Sequence, residues 1–578
     1  MTNTTNAKPH FQYTHLLLLS SLILLALVLR VYQLDTHSLW YDELLELDVA
    51  QGPFLSIGPQ LPRHAAMPLD YYLMHAWIKL GRQEFWVRLP ALFFGVLAIP
   101  LTYALARRML NRRVGTLSAV LMTLAFFAVR YSRETRPYAM LLVFTLLAFL
   151  GLWQVYRTHK MRYWLVVIVG LSGAALSHYF SIFLLLPMGL FVAIHQLYHL
   201  KEFTFWRHTL CFALAVLIMA LLFALNGRIL VLYSVSYRFS NVVNQPETLV
   251  LPAEEKPNHG SGPPLEPGFF VTDVLSPLST TIPTVLLWYS AFFLIAVLSL
   301  VLHRSASTKA ILLLLGWLIL PILLIYVFLL HRGTFYATRY ILYVLPAYLI
   351  LVAYGMDRLA GFIVSAMAKG PYRQGVLTVA LTILLAPALF AQVDDLRSYY
   401  GADAREDWRA VGRLLYNHAA ADDVIMAIKA EPAINWYYPP GATPFETYSR
   451  SDPVNAALRQ YKRRWFVLSS YSYRRDENLR NWLAPRAAKI VIDRRVVVYL
   501  QEEGKSAGDM LAEVKAFNLP PNAITYAHLA EQFKQQGDIE TSRAFYQKAI
   551  TLASSSGLKA QYEARLAALP HLSDTILE

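Results

Sequence analysis

The chain has one cysteine, Cys211, in 578 residues, which excludes an intrachain disulfide and a thiolate metal cluster. Cys211 falls inside an apolar run, so an inert, buried thiol is expected. Charge is also scarce: 16% of residues are Asp, Glu, Lys or Arg, against 56% hydrophobic, whereas soluble domains carry about 25% charged residues. Acids are fewer than bases, 38 against 52, leaving a net charge of +14. In a soluble protein that excess would point to nucleic acid, but here much of it sits in short loops between apolar runs. There it acts as a topology signal and as an attraction to anionic headgroups, so no nucleic acid partner is expected. The sequence has no His-Glu-x-x-His, no Cys pair and no acidic triplet after its first apolar run. Asp42 and Glu43 could ligate a hard cation, but a metal-independent site without cofactor is the expectation. Gly504-Lys505-Ser506 lacks the upstream glycine of a phosphate loop and is expected to be an exposed turn.

Long hydrophobic runs dominate what is present. Reading runs of roughly 18 to 25 apolar residues as spans gives about eleven, several of them short. They are Leu16 to Leu34, Leu89 to Met109, Val114 to Val129, Tyr138 to Tyr156, Trp164 to Leu176, Phe180 to Ile194, Leu210 to Leu225, Pro283 to Leu302, Ile311 to Leu330, Ile341 to Met356 and Val376 to Phe390. Short cytoplasmic loops are rich in Lys and Arg. Arg107, Arg108, Arg112 and Arg113 mark one such loop, and Arg157, Lys160 and Arg162 another. Alternating from these, Lys201 with Arg207, Arg304 with Lys309, and Arg358 with Lys369 and Arg373 also fall inside. The expected protein is therefore a multi-pass protein of the cytoplasmic (inner) membrane, with a cytoplasmic N-terminus and everything after Phe390 outside. The first run has no small-residue cleavage site after it, so it reads as a retained helix rather than a signal peptide.

The outer loops then carry the chemistry. Trp40-Tyr41-Asp42-Glu43 follows the first run directly, so two carboxylates stand at a bilayer face, where lost hydration is costly unless a solvated cleft or a function compensates. A long first loop, Asp35 to Arg88, also holds His64 and the amphipathic stretch Tyr71 to Leu80, suited to a helix lying in the interface. A second, short loop reads Tyr131-Ser132-Arg133-Glu134-Thr135-Arg136-Pro137-Tyr138, with two arginines on the translocated side beside a glutamate. A later turn, from His331-Arg332-Gly333 to Arg339-Tyr340, repeats the arginines without the acid. Arginine's planar, permanently charged fork matches phosphate, so these loops point to an anionic lipid substrate. His178 with Tyr179, at the outer end of the fifth span, reads as an interfacial pair. Asn226 to Thr281 is a long outer loop, with Pro and Gly clustered at Gly260 to Pro267, as in acceptor lids or in loops that are simply mobile.

These motifs occur together and in one order. Trp40-Tyr41-Asp42-Glu43, the run Glu84-Phe85-Trp86-Val87-Arg88-Leu89-Pro90, the turn Arg112-Arg113-Val114-Gly115 and the loop from Tyr131 to Tyr138 resemble the membrane glycosyltransferase family that includes the protein O-mannosyltransferases and the aminoarabinose transferases of lipid A. Arg339-Tyr340 leading to Leu345-Pro346, then Glu406-Asp407-Trp408-Arg409 and Asp422-Asp423-Val424-Ile425, resemble segments of bacterial members. The resemblance covers roughly Leu16 to Val424. It implies the C-type fold of membrane glycosyltransferases and a polyprenyl-phosphate-linked sugar as donor. It also implies Asp42 as the general base, Glu43 as its support, and Arg133, Glu134, Arg136 and Tyr138 as the second-loop positions lining the donor site. Arg339 is a further match for a phosphate contact. Where members of the family have His-Pro-Pro-Leu-Tyr-Tyr, this chain has Met67-Pro68-Leu69-Asp70-Tyr71-Tyr72, which puts a role for His64 or Asp70 in doubt.

The chemistry independently fits these residues. Breaking the bond between an anomeric carbon and a lipid phosphate releases an anion that arginines would stabilise, and an acceptor hydroxyl needs a base as the new bond forms. The expected activity is transfer of a hexose or pentose to a lipid, protein or polysaccharide hydroxyl. A transporter or flippase for polyprenyl-linked sugar is the alternative. It should place its polar groups at mid-membrane in broken helices, whereas here they crowd the outer loops. A membrane scaffold would leave Asp42 and Glu134 without a role.

Three domains are expected: a transmembrane glycosyltransferase domain over 1–392, an extracytoplasmic α/β domain over 393–519, and a tetratricopeptide-like helical hairpin with a cap over 520–578. Val424 to Ile428, Trp465 to Ser469, Lys489 to Ile492 and Val496 to Leu500 read as strands, and Trp408 to Asn417 and Pro453 to Tyr461 as helices. Tyr526, Leu529, Ala530, Phe533, Gly537, Ser542, Tyr546 and Ala549 give the hairpin pattern. A lone repeat cannot bury its own face, so the hairpin should pack on the α/β domain or on a protein partner.

Overall fold

The computed structural model describes residues 10–64, 66–197, 203–226, 268–302, 307–332, 337–367, 372–401, 406–428, 430–438, 445–447, 460–469 and 477–570. The expected helix Pro453 to Tyr461, most of the loop from Asn226 to Thr281, Gly333, and the topology markers Lys201, Arg304 and Lys369 lie outside these residues, Gln460, Tyr461 and the two ends of the loop excepted. The described part is predominantly helical and divides into two compact units. Residues 1–34 with 52–401 form one, and residues 35–51 with 402–578 form the other.

The first unit is built from apolar helices. Among the described residues seven are long and apolar enough to cross a membrane, including Glu84–Met109, Tyr138–Thr158, Pro283–Val301 and Arg373–Tyr400; Leu16–Val31, Tyr163–Ser177 and Tyr179–His195 are shorter apolar helices. The run expected as a span from Val114 to Val129 is broken. Asn111 caps its first helix, Arg112–Leu124, by accepting from the Val114 amide, and Ala125, at φ −50° and ψ 108°, separates that helix from the short Phe126–Tyr131. Helix Tyr138–Thr158 begins after Pro137 and ends at His159 in the left-handed region, φ 53°.

Close packing rests on small residues. A Cβ on Gly355 would stand 2.0 Å from the Phe292 carbonyl oxygen, so helices Pro283–Leu302 and Leu345–Met367 touch backbone to side at that point. Phe149 stacks on Trp317 with ring centroids 4.0 Å apart. At the basic end, Asp357 accepts from Arg113 Nε at 2.6 Å and from Asn111 at 2.9 Å.

The second unit holds a five-stranded mixed sheet in the order β2-β1-β3-β5-β4. Its strands are β1 (Val424–Ile428), β2 (Phe445–Thr447), β3 (Arg463–Ser469), β4 (Ala487–Val491) and β5 (Val496–Glu502). β1 pairs in parallel with β2 and β3, while β5 runs antiparallel to both β3 and β4. β1, an unbroken apolar run, is buried along its whole length. Helix Ala523–Gln535 meets β4, and Gln532 treats it as a neighbouring strand would: its Nε2 donates to the Lys489 carbonyl at 2.7 Å and its Oε1 accepts from the Lys489 amide at 3.4 Å. Asn522 adds a bond to the Ile492 carbonyl at 2.7 Å. Two further helices follow, Ile539–Leu552 and Ser556–Ala567, and Leu529, Ala530, Phe533, Tyr546 and Ala549 are buried.

This unit also contains helix Tyr41–Gln51, which carries Asp42 and Glu43. Chain order had placed those residues in the membrane domain. The helix is tied to residues beyond 405, the Tyr41 amide donating to Glu406 and Asp48 accepting from Asn435, and no hydrophobic pattern near Asp42 announces that.

Candidate active site

The expected site residues fall into two groups, one in each compact unit. In the second unit, Asp42 lies in the first turn of Tyr41–Gln51. The Trp40 carbonyl accepts the first helical bond, from Leu44 at 3.0 Å, so Trp40 stands where a Ser, Thr, Asp or Asn would normally cap a helix. Glu43, fully buried, folds back so that its Oε2 accepts the Trp40 amide at 3.1 Å, as the third residue of a capping box does. Glu43 is thereby built into the helix start, one residue from Asp42, which is itself partly exposed.

Tyr41, beside Asp42, is held well above the ordinary tyrosine range, chiefly by burial and then by the carboxylates of Glu431, Asp42, Glu406 and Asp48. Glu406 is raised too, first by burial, even though it accepts bonds from Trp408 and from the Tyr41 amide. Asp493, in the turn between β4 and β5, is pushed up to about 7 by burial, with Glu406 adding repulsion, although the amides of Asp407, Arg495 and Val496 all donate to it.

In the first unit the second-loop residues separate into two roles. Arg133, nearly buried, donates from Nε to the Arg30 carbonyl at 3.2 Å and from Nη2 to the Tyr32 carbonyl at 2.6 Å. Its guanidinium also lies over the rings of Tyr399 and Tyr400, at 5.2 and 4.8 Å. Arg88, in the second resemblance motif, similarly donates to the Leu34 carbonyl at 2.7 Å. Both arginines therefore satisfy carbonyls at and just past the end of helix His10–Val31. Glu134 is buried, with Arg130 Nε 3.9 Å from its Oε1, and Thr135 donates to the Val87 carbonyl at 3.0 Å.

Arg136 and Arg339, 203 residues apart in the sequence, converge. Each guanidinium carbon lies 6.0 Å from the centroid of the Tyr138 ring, and Arg339 is 5.7 Å from that of Tyr340. Tyr138 is held edge-on to Tyr131 at 5.5 Å at the head of helix Tyr138–Thr158. His178, expected to be an ordinary interfacial residue, joins this cluster. Its ring lies 5.9 Å from that of Tyr138 and 5.7 Å from that of Tyr340, and its Nδ1 accepts the Phe180 amide at 3.2 Å. Burial first, then the charges of Arg136 and Arg339, hold the imidazole far below its usual value and therefore neutral. His64 and Asp70 lie in a 3₁₀ turn and in the first turn of the following helix, Pro68–Trp77. Among the described residues no group of three or more His, Cys, Asp or Glu is placed to hold a metal ion.

Comparison with solved structures decides the fold. The aminoarabinose transferase ArnT of Cupriavidus metallidurans bound to undecaprenyl phosphate superposes with a TM-score of 0.52 at 14% identity, over 84% of this chain and 98% of that one. Its apo form gives 0.51, over 85% and 98%. The fold is the C-type fold of membrane glycosyltransferases. A further C-type protein, the oligosaccharyltransferase AglB of Archaeoglobus fulgidus in complex with an inhibitory peptide and a dolichol-phosphate, matches with a TM-score of 0.50 at 12% identity, over 97% of this chain and 87% of that one. In sequence, the family model of dolichyl-phosphate-mannose-protein mannosyltransferase matches residues 63–223, a stretch that includes Glu134, Arg136 and Tyr138 but neither Asp42 nor Arg339. A sequence comparison with curated proteins gives no match. The resemblance drawn from the motifs is thus upheld in both fold and sequence family model.

Sequence reasoning missed the membership of His178 in the arginine cluster and the engagement of Glu406 at the Asp42 helix. A histidine at the end of an apolar run is a signal, but only a second arginine folded against it distinguishes it from an interfacial one.

Proposed function

We propose that this chain moves a hexose or pentose from a polyprenyl phosphate to an acceptor hydroxyl at the outer face of the cytoplasmic membrane, with its N-terminus in the cytoplasm. The observation that carries the reading is the convergence of Arg136 and Arg339 on Tyr138. Two permanently charged forks beside one aromatic wall, next to a histidine kept neutral, make a receptor for a phosphate attached to an organic group. Both guanidiniums keep their charge at any physiological pH, so stabilisation of the departing phosphate is independent of proton transfer.

In the step itself, the acceptor oxygen bonds to the anomeric carbon as the bond from that carbon to the phosphate oxygen breaks. Asp42 takes the hydroxyl proton and polyprenyl phosphate leaves with the electron pair. Direct displacement inverts the anomeric centre and needs one base. Arg133 has its donors on backbone carbonyls and holds the loop that presents Arg136. Glu43 and Glu134 shape their loops in the same sense.

The test uses the full chain reconstituted in liposomes with a radiolabelled polyprenyl-phosphate sugar and a soluble acceptor. The wild type should transfer label. Asp42→Asn keeps the shape and removes the basicity, so turnover should fall by about 10² or more with donor binding retained. Near-normal turnover by Asp42→Asn would remove Asp42 from the mechanism, and transbilayer movement of intact donor without bond cleavage would favour the flippase reading.

A further inference from the structure

The first turn of the helix carrying Asp42 leaves its amides to be satisfied from outside. Its N-cap residue, Trp40, has no side-chain oxygen to accept one, and Glu43 Oε2 accepts the Trp40 amide. The next amide, that of Tyr41, donates to Glu406 Oε2 at 2.9 Å, across 365 residues of sequence. The same oxygen accepts from the Trp408 indole at 2.7 Å, and Trp408 is buried, so the carboxylate is aimed by a fixed donor.

The clasp extends to either side. Ser38 donates to the Glu406 carbonyl and accepts the Trp408 amide at 3.2 Å. Tyr437 Oη accepts the Leu39 amide at 2.8 Å, and Arg409 donates to the Asp35 carbonyl at 2.8 Å. Each of these ties joins a side chain of Ser38, Tyr437 or Arg409 to a backbone group, so none depends on the side chain of residue 406. The bond to Tyr41 depends on the identity of residue 406.

We propose that Glu406 is a positioning residue for Asp42, capping in trans the first turn of the helix that carries it and so fixing the direction in which the Asp42 carboxylate projects. The proposal rests on the reading of Asp42 as general base. A helix start that frays lets its first-turn side chains wander, and a base displaced by about 1 Å can lose on the order of 10² in rate. The cap requires an acceptor oxygen and not a charge, which distinguishes positioning from proton transfer.

The experiment compares Glu406→Ala and Glu406→Gln in the full chain. Amide hydrogen exchange over residues 41–45, read by mass spectrometry, should accelerate in Glu406→Ala. Its kcat should fall about tenfold at unchanged donor KM. The amide oxygen of Glu406→Gln can accept both bonds, so it should restore protection and most of kcat. Wild-type exchange and kcat in Glu406→Ala overturn the proposal. So does a Glu406→Gln as slow as Glu406→Ala, which would make the charge the essential property. Should Glu406→Ala fail to fold, Trp408→Phe, which removes the aiming donor, must show the same kcat loss in smaller degree, and a wild-type kcat there overturns the proposal. If the wild-type chain transfers no sugar, the glycosyltransferase reading fails by itself, and the exchange data still decide whether Glu406 caps the helix.

Discussion

Arg133 and Arg136 stand three residues apart in one loop, and their local sequence evidence is the same. Their surroundings separate them: Arg133 is bound to two carbonyls, whereas Arg136 shares the Tyr138 ring with Arg339. Arg136→Lys keeps the charge and loses the fork, and Arg136→Ala loses both, so donor affinity measured by titration should decline in that order. The alanine variant should lose about 1.5 to 3 kcal/mol if a charge-assisted bond to phosphate is broken. Arg133→Ala should instead lower the unfolding midpoint and weaken donor affinity less than Arg136→Ala does. Equal affinity in wild type, Arg136→Lys and Arg136→Ala would reduce Arg136 to a headgroup anchor. The sequence singles out this loop as a candidate for phosphate contact, because two arginines on a loop expected to lie outside break a charge bias. It could not divide the two, since Arg133's partners are carbonyls of residues 30 and 32, about a hundred positions earlier.

At the scale of elements, the strands were legible where apolar runs are short and bounded by turn residues. β1, β4 and β5 fall within a residue or two of the expected ranges, and β3 begins two residues earlier, at Arg463. β2, three residues long, carries too little pattern to be read in advance. The turn joining β4 to β5 adds a pH dependence that is also invisible in sequence. Burial, with the Glu406 carboxylate nearby, lifts Asp493 to about 7 from the ordinary 3.8. A folded-state value above the unfolded one means that the folded form holds the proton more tightly. The resulting stabilisation is complete below the ordinary carboxylate value and is lost as pH rises through about 7. Asp493→Asn should therefore show a shallower fall of the unfolding midpoint than the wild type between about pH 4 and about pH 7. Parallel curves for the two proteins would mean that the three amide bonds to Asp493 outweigh its burial.

At the scale of the molecule, the fold class was legible and the assembly of its parts was not. Long apolar helices announce themselves by composition, but the helix of Asp42 is grouped with residues 402–578, and its bonds to Glu406 and Asn435, with that of the preceding Leu39 to Tyr437, span far more sequence than any periodicity covers. A soluble fragment spanning 402–578 should accordingly lack a structural piece. Adding a synthetic peptide of residues 35–51 should raise its thermal midpoint, and a peptide with Ser38 and Leu39 replaced by proline, which removes the hydroxyl and the Leu39 amide, should not. No shift with the native peptide would mean that the interaction needs the intact chain.

The same arrangement imposes a schedule on biosynthesis. Tyr41 leaves the ribosome 365 residues before Glu406, and at about 5 to 20 residues per second the interval is roughly 20 to 70 seconds. Through that interval Tyr41–Gln51, too short to be stable by itself in water, has none of its later partners. The residue proposed to act as base is among the first translated, yet it reaches its final surroundings only after Glu406, Asn435 and Tyr437 have been made.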